Sequence, residues 1–205
     1  MAKSAASTSG DFRTRLRSLE YTRNKLHKLF LTGQITRRDI EQVYQGLFLE
    51  AVAAFESHIE LFFIGLLSKS IDPHSRLTVS KATFSSRSTA MPIVVGSRFY
   101  DWLPYSRTRE RAEHFFRNGH PFSVLDASEA DKTEEFRFIR NAIAHRSDHA
   151  KQQFEKNVIG PTSLSPRERR VGGYLAGNFR SSPPQTRYES LTIDMATIFE
   201  KICTS

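Results

Sequence analysis

Apolar side chains recur at spacings of three and four residues along most of this chain, a pattern typical of helices that bury one face. The pattern predicts an amphipathic helix over residues 12–31 and a longer one from Ile40 to Leu67, after a capping box at 36–39. Further helices are predicted at 109–117 with Ser106 as cap, at 130–158, from Ser165-Pro166 onward, and at 188–203. The sequence therefore predicts an all-α fold, a helical bundle with one long central helix and an irregular insertion.

The insertion is predicted at 71–100, where Pro73, Pro92 and Gly96 leave room for one short helix. The Asn118-Gly119 pair should end the helix predicted at 109–117. Residues 181–184, Ser-Ser-Pro-Pro, predict a linker.

The 205 residues suit one domain with a full core. Residues 1–10 are rich in Ser and Ala and are expected to be disordered. Residues 11–205 are then expected to form a single helical domain, with its core at about 36–158 and a C-terminal helical extension at 165–203.

Thirty basic and twenty-two acidic residues give a net charge of +8, which favours a polyanionic partner such as RNA or serves only solubility. The basic excess is concentrated near the N-terminus, where residues 3–28 hold seven basic and two acidic side chains. Candidate phosphate contacts in the first helix are Arg13, Arg15 and Arg17. A second candidate cluster contains Arg167, Arg169 and Arg170, near Tyr174 and Phe179, with a solvated helix face as an equal alternative.

Cysteine content and hydropathy limit which covalent links, metal sites and membrane segments the sequence can form. The single Cys203 excludes an internal disulfide and a cysteine-based zinc site, and a reducing cytoplasm is the natural compartment. The longest apolar run, 61–67, is too short to span a membrane, and the N-terminus lacks the apolar stretch of a signal peptide. His58, His114 and His120 lack the spacing of a metal motif, so we expect no metal and no cofactor.

The helix predicted at 130–158 carries unusual chemistry on an otherwise apolar segment. Arg137, Asn141, His145 and His149 follow one another at intervals of four residues and should share one face. An imidazole suits proton transfer at neutral pH, and a guanidinium donates two parallel hydrogen bonds to a phosphate. His145 is therefore a candidate for proton transfer, and Arg140, which lies beside Asn141 on this helix, is a candidate to bind a phosphate.

Arg140 and His145, separated by four residues, with the polar Asn141 directly after the arginine, resemble the motif of the HEPN superfamily. Members are small all-helical domains, many of them metal-independent ribonucleases. The order of the long apolar helix, the Trp102-Leu103-Pro104-Tyr105 segment and the motif helix is most similar to the RiboL-PSP-HEPN branch, over roughly residues 36–150.

The resemblance implies an endoribonuclease with Arg140, Asn141 and His145 as catalytic residues. Arg137 and His149, on the face that includes Asn141 and His145, are candidate RNA contacts, and for His149 the alternative is a solvated residue at the end of the helix. The resemblance also implies a homodimer whose groove combines the motifs of two protomers. Such sharing suits the geometry, because Arg140 and His145 should lie about 140° apart around a single helix. The resemblance further implies a toxin or antiphage effector, with an antitoxin or regulatory protein as a possible partner.

Two alternatives compete with catalysis. Arg140 could pair with Glu56 or Glu60 while His145 serves as an interior hydrogen-bonding residue. The domain could also be a non-catalytic HEPN module that binds RNA or a partner protein. Ser147 stands where one HEPN branch has a tyrosine that a partner nucleotidyltransferase modifies, so that form of silencing is not expected here.

Overall fold

The computed structural model describes residues 2–96, 101–145 and 147–205. Eight α-helices lie within these ranges: α1 (Ala5–Leu31), α2 (Arg37–Leu67), α3 (Arg87–Val95), α4 (Tyr105–Phe115), α5 (Ala127–Ala144), α6 (Asp148–Phe154), α7 (Val171–Ala176) and α8 (Arg187–Thr204). The short strands form two pairs, β1 (Lys3–Ser4) parallel to β2 (Ile71–Asp72), and β3 (Asn178–Ser181) antiparallel to β4 (Pro184–Thr186). The predicted all-α class is confirmed. None of the helices in the described part of the chain is both long and apolar enough to cross a membrane.

The chain divides into two compact units, each assembled from separate stretches of sequence. Unit 1 contains Met1–Thr14, Ala54–Glu134 and Met195–Ser205, and unit 2 contains Arg15–Ala53 and Glu135–Asp194. Each unit combines early and late parts of the sequence. The single domain with its core at about 36–158 and its extension at 165–203 stays a prediction.

The described part of the N-terminal segment forms a strand and the start of a helix, whereas the sequence predicted disorder over 1–10. Strand β1 pairs with β2, and the backbone N–H of Lys3 donates to the carbonyl of Ser70 at 2.9 Å. Helix α1 then begins at Ala5, and both Thr8 and Ser9 are buried. Composition could not anticipate this, because the strand partner lies some seventy positions further along the chain.

The start of α2 follows the predicted capping box. The backbone N–H of Thr36 donates to Asp39 Oδ2 at 2.8 Å, and the N–H of Asp39 donates to Thr36 Oγ1 at 3.3 Å. The hydrogen bond from the Thr36 hydroxyl is the main cause that lowers the pKa of the Asp39 carboxyl. The same arrangement at Thr186 and Glu189 starts α8, close to its predicted first residue.

Aromatic side chains fill the core of unit 1. Phe199 of α8 is fully buried, and its ring centroid lies 5.2 Å from Phe12 and 6.4 Å from Phe55. Both pairs are edge-on, an arrangement that aromatic quadrupoles favour. The last part of α8 is therefore a component of this core.

A buried polar cluster supports the core of unit 2. Tyr44 and Tyr188 are fully buried, with their rings edge-on at 5.5 Å. Arg23, also buried, forms an ion pair with Glu189. His27 joins this cluster, since its Nδ1 lies 3.4 Å from the Tyr44 hydroxyl.

This cluster should make stability depend on pH. Burial, and then the nearby charge of Arg23, lower the pKa of His27 below its ordinary value of 6.5. Protonation therefore favours the unfolded chain, so the free energy of unfolding should fall as the pH drops below about 6.5 and level off below the folded-state pKa. Urea unfolding measured across this window should show a shallower pH dependence for His27→Gln than for the parent. The exposed His74 provides the control, and an equal change of slope in His74→Gln would contradict the assignment.

Several boundaries differ from the prediction for local reasons. Helix α4 begins at Tyr105 after Pro104, so Ser106 lies inside the helix rather than at its cap. Residues 166–169 form a turn, and the helix there is confined to α7. The predicted linker at 181–184 is the turn of the β3–β4 hairpin. Asn118 and Gly119 both have positive φ, which confirms the predicted stop after α4. Of the predicted insertion at 71–100, residues 97–100 lie outside the described residues.

Candidate active site

The predicted motif helix at 130–158 is interrupted at the histidine of the motif. Helix α5 ends at Ala144, and the backbone N–H of His145 still donates to the Asn141 carbonyl at 2.8 Å. The hydroxyl of Ser147 then accepts from the backbone N–H of Ala150 at 3.2 Å and caps α6. The prediction of one continuous helix is therefore wrong, because Ser147 provides an N-cap that starts a new helix.

The end of α5 and the residues of α6 line an open cavity of about 380 Å³ within unit 2. Its polar lining consists of Arg137, Asn141, His145, Ser147, His149 and Gln153, and Phe138 and Ala150 complete the wall. All four residues predicted to share one helix face thus line the same cavity. They reach it from two helices and the turn at His145.

His145 and His149 are both exposed to solvent, so neither imidazole is an interior hydrogen-bonding group. Exposure of His145 removes one part of the structural alternative considered above. An imidazole at the mouth of a polar cavity can exchange protons with solvent and with a bound molecule, which is the requirement for general acid–base work.

Arg140 does not line the cavity but contacts a residue that does. Its Nη1 donates to Asn141 Oδ1 at 2.9 Å, and both side chains are half-buried. The bond engages the oxygen of the Asn141 amide and leaves the amide nitrogen as a donor. Two of the three predicted catalytic residues, Asn141 and His145, are therefore in the cavity, and Arg140 reaches it through Asn141.

Arg137 gives the cavity a cation of its own. Its guanidinium carbon lies 4.5 Å from the ring centroid of Phe138, within the range of a cation–π interaction. Sequence reasoning placed Arg137 among RNA contacts only, and the i, i+4 spacing to Asn141 was the signal that could have assigned it to the site.

The two glutamates proposed as alternative partners of Arg140 bind the segment before α4. Glu60 accepts a hydrogen bond from the indole N–H of Trp102 at 2.9 Å. Glu56 accepts one from the backbone N–H of Leu103 at 3.3 Å. Both carboxylates therefore anchor the Trp102-Leu103 segment within unit 1.

A scan against protein-family models, a search of curated proteins and a search of solved structures found no match to this chain.

Within the described ranges, no group of three or more His, Cys, Asp or Glu side chains is placed to hold a metal ion.

The three arginines of α1 that were predicted to contact phosphate differ in whether they already form an ion pair. Arg13 forms an ion pair with Glu200, and Arg15 Nη2 lies 2.7 Å from Glu50 Oε2. Arg17 is exposed, and no ion pair to it occurs within the described residues. Of the three predicted residues, Arg17 is the one best placed to meet a phosphate.

Arg17 belongs to a row of exposed side chains along α1 that was not predicted as a group from the sequence. The row continues through Tyr21, which is 73% exposed, to Lys25 and Lys28. Their spacing of three and four residues places them on one side of the helix. An exposed aromatic ring among cations is typical of surfaces that bind single-stranded nucleic acid. We call these four residues the α1 row.

The second predicted basic cluster is partly neutralised. Arg167 Nε and Arg170 Nη2 lie 3.6 Å and 3.8 Å from the Glu41 carboxylate, whereas Arg169 is exposed. Tyr174 is buried and cannot stack on a base, because the Arg187 guanidinium lies 4.9 Å from its ring centroid. Phe179 is 62% exposed and remains able to stack.

Proposed function

We propose that this protein is a HEPN-type, metal-independent endoribonuclease whose chemistry takes place in the cavity between α5 and α6. The observation that supports it best is that the exposed His145 and Asn141, whose amide oxygen accepts a hydrogen bond from Arg140, line the same cavity. These are the three residues on which the family resemblance rests. By that resemblance, the protein acts on cytoplasmic RNA as a toxin or antiphage effector, under the control of an antitoxin or regulatory partner.

The cleavage reaction is a transesterification at phosphorus. The ribose 2′-oxygen forms a bond to the phosphorus as its proton leaves, and the bond from phosphorus to the 5′-oxygen breaks. The leaving oxygen takes a proton, so the products are a cyclic phosphate and a 5′-hydroxyl. His145 transfers a proton, while the Asn141 amide and the basic side chains stabilise the charge that develops on the phosphate.

The proposal is tested by incubating the purified chain with bulk RNA in excess EDTA. Cleavage that persists in EDTA and disappears in His145→Ala supports it. An intact substrate at micromolar protein, or cleavage that His145→Ala retains in full, rejects it. The end groups provide a second check, because this reaction leaves a 2′,3′-cyclic phosphate.

We expect the protein to be a homodimer, with the cavity at or near the interface, as the family resemblance implies. Light scattering at micromolar concentration should give twice the chain mass of 23.5 kDa. A mass equal to one chain across the micromolar range would contradict the dimer without affecting the assignment of the cavity.

The α1 row should hold RNA through phosphate contacts. Replacing Arg17, Lys25 and Lys28 with glutamine should weaken binding of single-stranded RNA. It should also reduce the slope of log affinity against log salt by about 2, at about 0.7 per phosphate contact.

Arg13 and Arg15 provide the matched control, because both already form ion pairs with Glu200 and Glu50. Their double glutamine variant should change the salt slope by less than the variant of the α1 row. Fluorescence anisotropy with labelled RNA at several salt concentrations measures both. An unchanged slope in the α1 row variant would show that this row is only a solvated face.

A further inference from the structure

The cavity holds more ionisable groups than the HEPN motif requires. Besides His145 and Asn141 it contains a second imidazole, His149, and a guanidinium, Arg137. Arg137 lies one helical turn before Asn141 on α5, and His149 lies in the first turn of α6. The break at His145 therefore brings two imidazoles and one cation to one cavity of a single chain.

The proposed reaction needs two proton transfers at different oxygens. One group removes the proton from the 2′-oxygen, and another supplies a proton to the leaving 5′-oxygen. A single imidazole cannot act as base and acid in the same concerted step, since the two oxygens lie on opposite sides of the phosphorus. The phosphate oxygens also need a cation, and Arg140 already donates to Asn141.

We propose that His149 is the second proton-transfer residue and that Arg137 binds the scissile phosphate, so that one protomer carries the complete catalytic set. This inference rests on the proposed ribonuclease function and deepens it. His145 and His149 exchange one proton each with the substrate per turnover, and after the cyclic phosphate and the 5′-hydroxyl product leave, each imidazole returns to its starting state by exchanging a proton with solvent. Arg140 is then a positioning residue that acts through the Asn141 amide.

The assignment predicts how pH controls the rate. With one imidazole as base and the other as acid, kcat/KM should follow a bell-shaped curve with two limbs. His145→Ala and His149→Ala should each remove one limb and reduce cleavage by about 10²–10⁴-fold. His149→Gln keeps a polar side chain but cannot transfer a proton, so it should not restore activity.

Arg137→Ala should reduce kcat by about 10²–10³-fold, the usual cost of losing a donor to a developing charge. Arg137→Lys should recover part of that loss, because it keeps the charge but not the paired donors. His114→Ala, an exposed histidine of α4 in unit 1, is the matched control and should keep both limbs. Circular dichroism and thermal melting confirm that each variant is folded.

Mixing two inactive variants tests whether one protomer carries the whole set. A mixture of Arg137→Ala and His145→Ala chains should stay inactive, because every cavity then lacks one group. Recovery of cleavage in the mixture would overturn the single-protomer assignment in favour of a site shared between two chains.

The pH experiment separates this inference from the proposed function. If the parent protein cleaves RNA in EDTA and His149→Ala keeps a two-limbed profile, the role of His149 is rejected and the ribonuclease remains. If the parent protein binds RNA but does not cleave it, the proposed function fails, and the assignment of His149 and Arg137 fails with it.

Discussion

Replacing His145 with alanine should reduce RNA cleavage by about 10²–10⁴-fold and leave the helices intact. The imidazole is exposed at the cavity, so its removal takes away a proton-transfer group without opening a hole in a core. Initial rates on a defined single-stranded RNA, with circular dichroism as the check on folding, measure both effects. RNA affinity in the same variant should change little, because phosphate contacts supply most of the binding.

Arg140→Ala tests the second residue of the motif. Loss of its hydrogen bond frees the Asn141 amide to rotate, and cleavage should fall by orders of magnitude while the protein stays folded. Arg38, which is exposed at the start of α2, supplies a matched arginine outside the cavity, and Arg38→Ala should keep normal activity. Equal losses in the two arginine variants would show that general charge, and not the contact to Asn141, sets the rate.

Phe199→Ala should destabilise the protein by about 3–5 kcal/mol, the usual cost of removing a fully buried aromatic ring. The ring packs edge-on against Phe12 and Phe55, so its removal leaves a cavity among other aromatic side chains. Urea unfolding followed by circular dichroism measures the loss as a lower midpoint with an unchanged slope.

Ile193 provides the matched control for this core. It lies on the same helix and is 55% exposed, so Ile193→Ala should change the free energy of unfolding by no more than about 0.5 kcal/mol. A midpoint for Phe199→Ala equal to that of Ile193→Ala would contradict the placement of α8 in the core of unit 1.

Local patterns in the sequence predicted the helices that bury a clear apolar face. Helices α2 and α8 lie close to their expected positions, because period and caps act within a few residues of each other. Helix α1 ends at Leu31 as expected but begins at Ala5 instead of residue 12. The contacts that build unit 1 could not be predicted in this way. Phe12 and Phe199 lie near opposite ends of the sequence, and no local pattern encodes such a pairing.

The candidate site shows the same limit. The i, i+4 spacing correctly grouped Arg137, Asn141, His145 and His149, because three of them follow the turns of α5 and its end. The break after Ala144 was missed, although the Ser147-Asp148 pair is a typical helix start. Arg140 was expected in the cavity, but it lies about 100° from Asn141 around the helix and contacts it from the side.

Each of the two units combines stretches that lie far apart in the sequence, and this determines when each unit can fold during synthesis. Synthesis releases Phe12 well before Phe199, so the core of unit 1 cannot close until α8 has been made. Folding of unit 2 also requires α8, because Arg23 forms its ion pair with Glu189 of that helix.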